Sequence, residues 1–286
     1  MRYIFIVNPV SGNKSGIKAA RVIDKYCKEL GIDYKVIYTK CAKDATRIAS
    51  VYSDKYTVIY SVGGDGTLNE VINGMVNKDS YLHIIPTGSG NDFYKSITES
   101  PTSKIDVGKV NDKYFINIAS LGIDAKVALD AIKLKEKKVP SSLIYVISLI
   151  YNLFGFKNIN LNIYNINTQI TLLTICNGRY YGGGFKIAPT AKLDNGLFDV
   201  YSVGALNKVD LLKALYKLLK GTHITDKNVN FTTLNKIVVD SDIDLICNLD
   251  GEIYKSKKID FSIINNAINY KINDELHINK ILKLEK

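Results

Sequence analysis

The chain has 286 residues, 46% hydrophobic and 23% charged, a composition with room for two ordinary domains and a sizeable core that excludes a disordered or low-complexity protein. Its 38 Lys and Arg against 28 Asp and Glu leave a formal net charge of +10. That favours an anionic partner such as a nucleotide, a nucleic acid or an acidic membrane surface, although solubility alone accounts for it equally well. The four cysteines, Cys27, Cys41, Cys176 and Cys247, form no CxxC pair, so reduced cytosolic thiols fit better than a disulfide framework or a zinc site.

The start, MRYIFIVNP, carries too short an apolar run for a signal peptide and reads as a first strand, residues 3–7, ending at Asn8-Pro9. Ser11-Gly12-Asn13 form a turn. Ala20, Ile23, Cys27 and Leu30 then mark a helix face closed by Gly31. Tyr34 to Tyr38 is a second strand ending at Thr39, and Ala45, Ile48, Ala49 and Tyr52 mark a second helix. The run Tyr56 to Val62 (YTVIYSV) is a buried strand. Leu68, Val71, Ile72, Met75 and Val76 follow at the spacing of one helix face, and Leu82 to Ile85 is a fourth strand. Strand–helix alternation with short loops predicts an α/β unit built on a parallel sheet covered on both faces. Ligands of such sheets lie beyond the carboxyl ends of the strands. Asn8 to Gly12, Thr39, Gly63 to Thr67 and Pro86 to Asp92 all fall there, on one rim.

The second part reads differently. Residues 158–164, 170–176, 197–203, 229–233, 237–239, 243–249 and 259–264 are short strand candidates, which suggest an antiparallel sandwich or barrel. One helix interrupts them, starting near Asn207, carrying Leu211, Leu212, Leu215, Leu218 and Leu219, and ending at Gly221. The boundary between the parts is expected near Ile123, giving units of 1–122 and 123–272. Residues 273–286 look helical and are expected to pack back on the first unit. The longest apolar run, Leu143 to Phe156, is broken by Ser148 and Asn152 and falls short of a membrane span.

Gly63-Gly64-Asp65-Gly66-Thr67 lies between the third strand and its helix, where backbone N–H groups and the positive end of the helix dipole suit a phosphate. A lone carboxylate there either repels the phosphate, faces it through a cation such as Mg²⁺, or takes a proton. A tight turn with Asp65 in solvent is the plain alternative. Later, Asp250-Gly251 between two strand-like runs is a hairpin signal, and a hairpin tip there would present Glu252.

These residues resemble the diacylglycerol kinase catalytic-domain family, in particular its bacterial soluble lipid kinases of the diacylglycerol kinase B and YegS types. The resemblance rests on Asn8-Pro9-Val10-Ser11-Gly12, Gly63 to Val71, Gly88-Ser89-Gly90-Asn91-Asp92, Ile105-Asp106-Val107-Gly108, Phe115-Ile116-Asn117, Ala188 to Gly196 and Asp250-Gly251-Glu252. It covers nearly the whole chain. The GGDGT element alone is shared with NAD kinases and phosphofructokinases, whereas the NPxSG start, the GSGND loop and the late DGE together point to the lipid branch.

The resemblance implies a Rossmann-like N-terminal nucleotide-binding domain and a C-terminal antiparallel β-sandwich, with the active site in the cleft between. By motif position, Asn8, Pro9, Val10, Ser11, Gly12, Thr39, Gly63, Gly64, Asp65, Gly66, Thr67, Leu68, Asn69 and Ser89 would bind ATP. Asp65, Asp92 and Asp106 would form the acidic network around Mg²⁺. Glu252 would be the general base, with Asp65 its rival in that role. The implied reaction moves the γ-phosphate of ATP to a lipid hydroxyl, that of diacylglycerol first among them. Lys192, Asn195 and Leu197 match a structural metal site of the family, with Asn195 where a carboxylate is expected. Gly182-Gly183-Gly184 matches a family loop to which the residues alone assign no role.

Two other functions stand beside this one: phosphorylation of a soluble nucleotide in the manner of NAD kinases, and nucleotide binding without catalysis. The first is opposed by NPxSG and GSGND, the second by the presence of Asp65, Glu252 and all the rim loops together. No clustered basic helix or recognisable motif supports a nucleic-acid partner. A lipid acceptor implies a cytoplasmic protein that visits the membrane, with or without a homodimer. Lys133, Lys135, Lys137 and Lys138, before the run Leu143 to Phe156, suit an interfacial contact, and suit equally a solvated lysine run leading into a core helix.

Overall fold

The computed structural model describes residues 1–136, 147–148, 151–153, 155 and 157–284. In the first half four strands alternate with helices: β1 (Arg2–Val7), α1 (Ser15–Leu30), β2 (Tyr34–Tyr38), α2 (Asp44–Tyr52), β3 (Thr57–Gly63), α3 (Asp65–Met75) and β4 (Tyr81–Pro86). The strands pair in parallel in the order β2-β1-β3-β4. Ile4, Phe5, Ile6 and Val7 are all fully buried, as a continuous apolar run must be in a sheet covered on both sides. One face packs on α1 through Ala20, Ile23 and Cys27. The other packs on α2 and α3 through Ala45, Ile48, Val71, Ile72 and Met75. Gly31 ends α1 in a left-handed cap, its N–H donating to the carbonyls of Cys27 and Lys28, as its position predicts.

After α4 (Asp92–Glu99) the chain becomes β-rich: β5 (Lys104–Val110), β6 (Lys113–Phe115) and β7 (Ile118–Gly122), then α5 (Ile123–Glu136). There follow β8 (Ile159–Ile163), β9 (Ile166–Cys176), the small hairpin β10 (Tyr180–Tyr181) and β11 (Phe185–Lys186), and β12 (Phe198–Gly204). The last elements are α6 (Lys208–Leu219), a 3-10 turn (His223–Thr225), β13 (Val229–Leu234), β14 (Lys236–Leu249), β15 (Glu252–Tyr270) and α7 (Ile278–Leu284). Asn207 caps α6, its side chain accepting the N–H of Asp210. Strand β14 pairs with β7, β8 and β15, and β9 with β7, β8 and β12, all antiparallel. The strands thereby fold over a core of Phe115, Leu161, Ile175, Phe198, Val239 and Phe261.

Three features depart from the sequence reading. Residues 237–239 and 243–249 are one strand, not two, with a register shift between Asp240 and Leu245; the polar run at the shift interrupts the apolar pattern without ending the ladder. Strands β5 to β7 are absent from the sequence reading; β5 pairs with β6 and with β15, and β7 with β14 and β9 of the second half. Strand β15 runs 19 residues and ends in parallel pairing with β4, so both halves share one 13-stranded sheet.

The tail packs on the first half. Leu276 and Ile278 are buried against Phe5, Val58 and Tyr60, Tyr60 donates to Asp274 at 3.1 Å, and Asn279 donates to the carbonyl of Ile84. No helix among the described residues is long and apolar enough to cross a membrane.

Candidate active site

The ends of β1, β3 and β4 bring three loops together. Asn8 Nδ2 donates to Thr67 Oγ1 at 3.0 Å, and its Oδ1 accepts the N–H of Val10. Two contacts demand glycine. Gly12 sits at φ +51°, and a Cβ there would stand 1.7 Å from the carbonyl oxygen of Thr87. A Cβ on Gly88 would stand 2.4 Å from Cα of Gly64. Backbone therefore lies directly on backbone, which only glycine permits. Helix α3 starts at Asp65 with no side chain capping it, and Gly66, in its first turn, is exposed and open. An uncapped helix start beside close-packed glycine loops has free N–H groups that could receive a phosphate. Thr39 ends β2, its N–H bonded to the carbonyl of Val7, and Ser89 is exposed at the tip of its loop. Leu68 differs from the other nucleotide candidates: its side chain is in the core and its N–H bonds to Gly64.

Asp65 and Asp92 stand together. Asp65 Oδ1 accepts the N–H of Phe93 at 3.1 Å and so caps α4. Its other oxygen and Asp92 Oδ2 both lie within 4 Å of where a Cβ on Gly90 would be. Burial raises the Asp65 carboxyl above its ordinary range and the charge of Asp92 adds to this, against backbone N–H bonds from residues 91–93. Asp92 Oδ2 accepts the N–H of Gly183 at 2.7 Å, and Lys95 pairs with Oδ1 at 3.2 Å. The role of the triple-glycine loop is thus to present an amide to Asp92. Asp106 faces elsewhere: its oxygens accept the N–H groups of Gly196 and Asn266, both at 2.7 Å. Among the described residues no three His, Cys, Asp or Glu side chains are grouped closely enough to hold a metal. Asn195 Oδ1 accepts the N–H of Leu197, and Lys192, Asp194 and Asn195 are exposed, an arrangement a plain turn accounts for.

Asp250 is the residue whose importance the sequence concealed. It and Gly251, at φ 50° and 97°, form the two-residue turn joining β14 to β15, with Leu249 paired to Glu252; two positive φ values are the type I′ pattern. The Asp250 side chain turns inward. Oδ1 accepts the N–H groups of Asn117 and Ile118, and Oδ2 those of Ile116 and the Asn69 amide, at 2.6–3.0 Å. Burial pushes its carboxyl up to about 6 despite these four donors. A second buried carboxylate, Asp124, supports the same turn. It accepts from Ser120 and Asn248, whose Oδ1 takes the N–H of Gly251. Spacing could not reveal the Asp250–Asn69 contact, because it joins residues 181 apart. The available signal was Asp250 lying beside Glu252 in the DGE element.

Glu252 itself is exposed. With Asn69, Glu70 and Asn73 of α3, Thr46 and Arg47 of α2, and Lys113 and Tyr114 of β6 it lines a cleft of about 620 Å³. The hairpin thus shares this cleft with Asn69, the last residue of the GGDGTLN segment, while residues 63–68 do not line it.

Residues 2–129 match the diacylglycerol kinase catalytic domain, and residues 117–270 the YegS C-terminal NAD kinase beta sandwich-like domain. A protein of Bacillus subtilis (strain 168) named diacylglycerol kinase is 30% identical over 271 residues, covering 86% of this chain and 88% of its own. The chain belongs to the diacylglycerol kinase catalytic-domain family. A Staphylococcus saprophyticus member of the same name is also 30% identical, over 86% of this chain and 87% of its own. The crystal structure of a diacylglycerol kinase from Bacillus anthracis str. Sterne matches with a TM-score of 0.68 at 19% identity, covering 96% of this chain and 98% of that one. At that identity the likeness speaks for the fold alone, and it includes the family's C-terminal β-sandwich.

Proposed function

We propose that the chain is an ATP- and Mg²⁺-dependent lipid kinase that transfers the γ-phosphate to a lipid hydroxyl, with diacylglycerol as the acceptor and phosphatidic acid as the product. The observation that carries this is the Asp250–Asn69 hydrogen bond of 2.9 Å. It fastens the hairpin bearing Glu252 to the second turn of the helix whose N-terminus is the candidate donor site, so the candidate base is tied to the same helix as that site. The names of the relatives supply the acceptor class.

The donor set fits both groups. Three glycine-bearing loops meet at the uncapped start of α3, where Gly66 is open, and would let a phosphate approach the backbone there. Asp65 and Asp92 are neighbouring carboxylates with a single cation, Lys95, paired to the outer oxygen of one of them. Two carboxylates plus phosphate oxygens are an ordinary Mg²⁺ environment. Held there, Mg²⁺ would offset charge on the phosphates. Asn8 fixes the spacing of the first two loops through Thr67, and Asp65 holds α4 against α3. The exposed Glu252 carboxylate would orient the acceptor hydroxyl and take its proton as that oxygen bonds to phosphorus and ADP leaves. Asp65 is the rival for that proton.

Labelled γ-phosphate should move from ATP into the chloroform-soluble fraction of a bacterial lipid extract, and mass spectrometry of the product would identify the acceptor. Label appearing only on added NAD in the aqueous phase would reverse the choice of acceptor class. No transfer to either, with ATP binding established, would leave a nucleotide-binding protein without catalysis.

A further inference from the structure

Helix α6 has two apolar faces where a helix on a globular surface needs one. Leu211, Ala214 and Leu215 pack inward with Ile123, Val127, Val203 and Leu206. Val209, Leu212, Tyr216 and Leu219 form the second face, and each is between 55% and 66% exposed. At 100° per residue these four fall within an arc of about 80° along about 15 Å of helix. Nothing in the described fold covers them. Ile224, in the 3-10 turn that follows, and Phe231, on the edge strand β13, are exposed as well.

Charge frames this stripe. By helical position Lys208 borders one side, and Lys213, Lys217 and Lys220 the other. Residues 207–227 hold five lysines against two aspartates. Both aspartates are engaged, Asp210 with Lys213 at 3.4 Å and Asp226 with Lys217 at 2.8 Å. Lys220 Nζ lies over the Tyr216 ring, 5.7 Å from its centroid, so this lysine already sits at the stripe's aromatic edge.

We propose that α6 lies flat on an anionic membrane surface, with Val209, Leu212, Tyr216 and Leu219 entering the headgroup boundary and the lysines meeting lipid phosphates. The inference rests on the lipid-kinase reading, since a lipid acceptor has to be met at a bilayer. It uses a surface other than Lys133–Lys138 and Leu143–Phe156, half of whose residues lie outside the described ones. A symmetric pair of copies is the less favoured occupant. A two-fold contact lays a patch on itself, and here that would set lysine rows against each other.

The test is co-sedimentation of the full chain, without nucleotide, with vesicles of phosphatidylglycerol and phosphatidylcholine or of phosphatidylcholine alone. Binding should need the anionic lipid and weaken with salt. Leu212→Glu with Tyr216→Glu should lower partitioning by about tenfold for each side chain withdrawn and leave the thermal melt unchanged, since both positions face solvent. Turnover of a water-soluble short-chain acceptor should be retained while turnover of a vesicle-embedded one falls. A chain that binds vesicles but phosphorylates nothing would sink the lipid-kinase reading and leave the docking face standing. Indifference of the wild type to phosphatidylglycerol, or equal binding by the double variant, overturns the proposal. A wild-type dimer that the double substitution dissociates also overturns it and assigns the face to a second copy.

Discussion

Replacing Asp250 by asparagine separates two opposing effects at the cleft. The turn itself should not object, because asparagine suits the first position of a type I′ turn at least as well as aspartate. What changes is the acceptor count: one amide oxygen replaces two carboxylate oxygens that serve four donors. If Asn69 turns its amide to accept from the new one, the N–H of Ile116 is left without a partner, at a cost of about 1–3 kcal/mol. Against this, the carboxylate is itself expensive. Burial raises it from 3.8 to about 6. A raised acid stabilises the fold most below its unfolded pKa, and that contribution is lost as pH rises through the folded value. Between pH 4.5 and 7.5 the loss is about 2 kcal/mol by linkage, whereas the asparagine variant has no such slope. The hydrogen-bond deficit is independent of pH, so it cancels when the difference between the two proteins is compared at the two pH values. Urea unfolding of both proteins at pH 4.5 and 7.5 should therefore show the wild type losing about 2 kcal/mol relative to the variant. Parallel curves, or a wild type that gains on the variant as pH rises, would mean that the four donors outweigh burial and that the argument is wrong.

Other outcomes follow from single contacts. Gly12→Ala combines a left-handed φ with a Cβ 1.7 Å from a carbonyl oxygen, and should cost about 2–5 kcal/mol together with nucleotide affinity. Gly31→Ala shares the φ but meets nothing within 4 Å and should cost about 1 kcal/mol, so equal losses in urea unfolding would refute the close-approach reading. His83 is almost wholly buried, its Nδ1 donating to the carbonyl of Lys271 and its Nε2 accepting from Asn279, and burial lowers its pKa. A lowered base contributes stability that is lost as pH falls below its unfolded value of about 6.5. Its ring should titrate below that value by NMR, and titration at or above it would contradict the buried neutral assignment. Glu252→Gln should keep ATP affinity, read by calorimetry, and lose phosphoryl transfer; the reverse would make Glu252 a nucleotide or structural residue.

The first half of the fold was legible because its signals are local. Buried strands such as residues 3–7 and 56–62 are continuous apolar runs, and the glycine loops fall where strand gives way to helix. The β-rich half was legible as strands but not as pairings. The break read between Val239 and Ile243 is a register shift inside one ladder, and β5 and β7 find partners more than a hundred residues away. Among the site residues, Asn8, Gly12, Gly88 and Asp65 announced themselves through turn chemistry. Asp250 did not, because a DG turn looks alike whether its carboxylate points to solvent or into the protein. Asp106 is named by resemblance alone, and its carboxylate accepts the N–H groups of Gly196 and Asn266.

The two halves meet in two different ways, and the difference follows from what a cleft requires. Away from the cleft they are joined by backbone, since β15 pairs with both β5 and β4. At the cleft an apolar seam would fill the space a ligand has to enter, so the join there has to be polar and narrow. Asp250 meets that need with one side chain that accepts from α3 on one side and from residues 116–118 on the other. A leucine of similar size would leave four donors unpaired, and an exposed salt bridge would be screened and weak. A buried carboxylate lowers stability near neutral pH yet fixes where Glu252 stands relative to Asn69, a trade expected where function competes with stability. If that is its purpose, the Asp250→Asn variant will lose kcat while holding ATP as tightly as the wild type, even at a pH where it is the more stable protein.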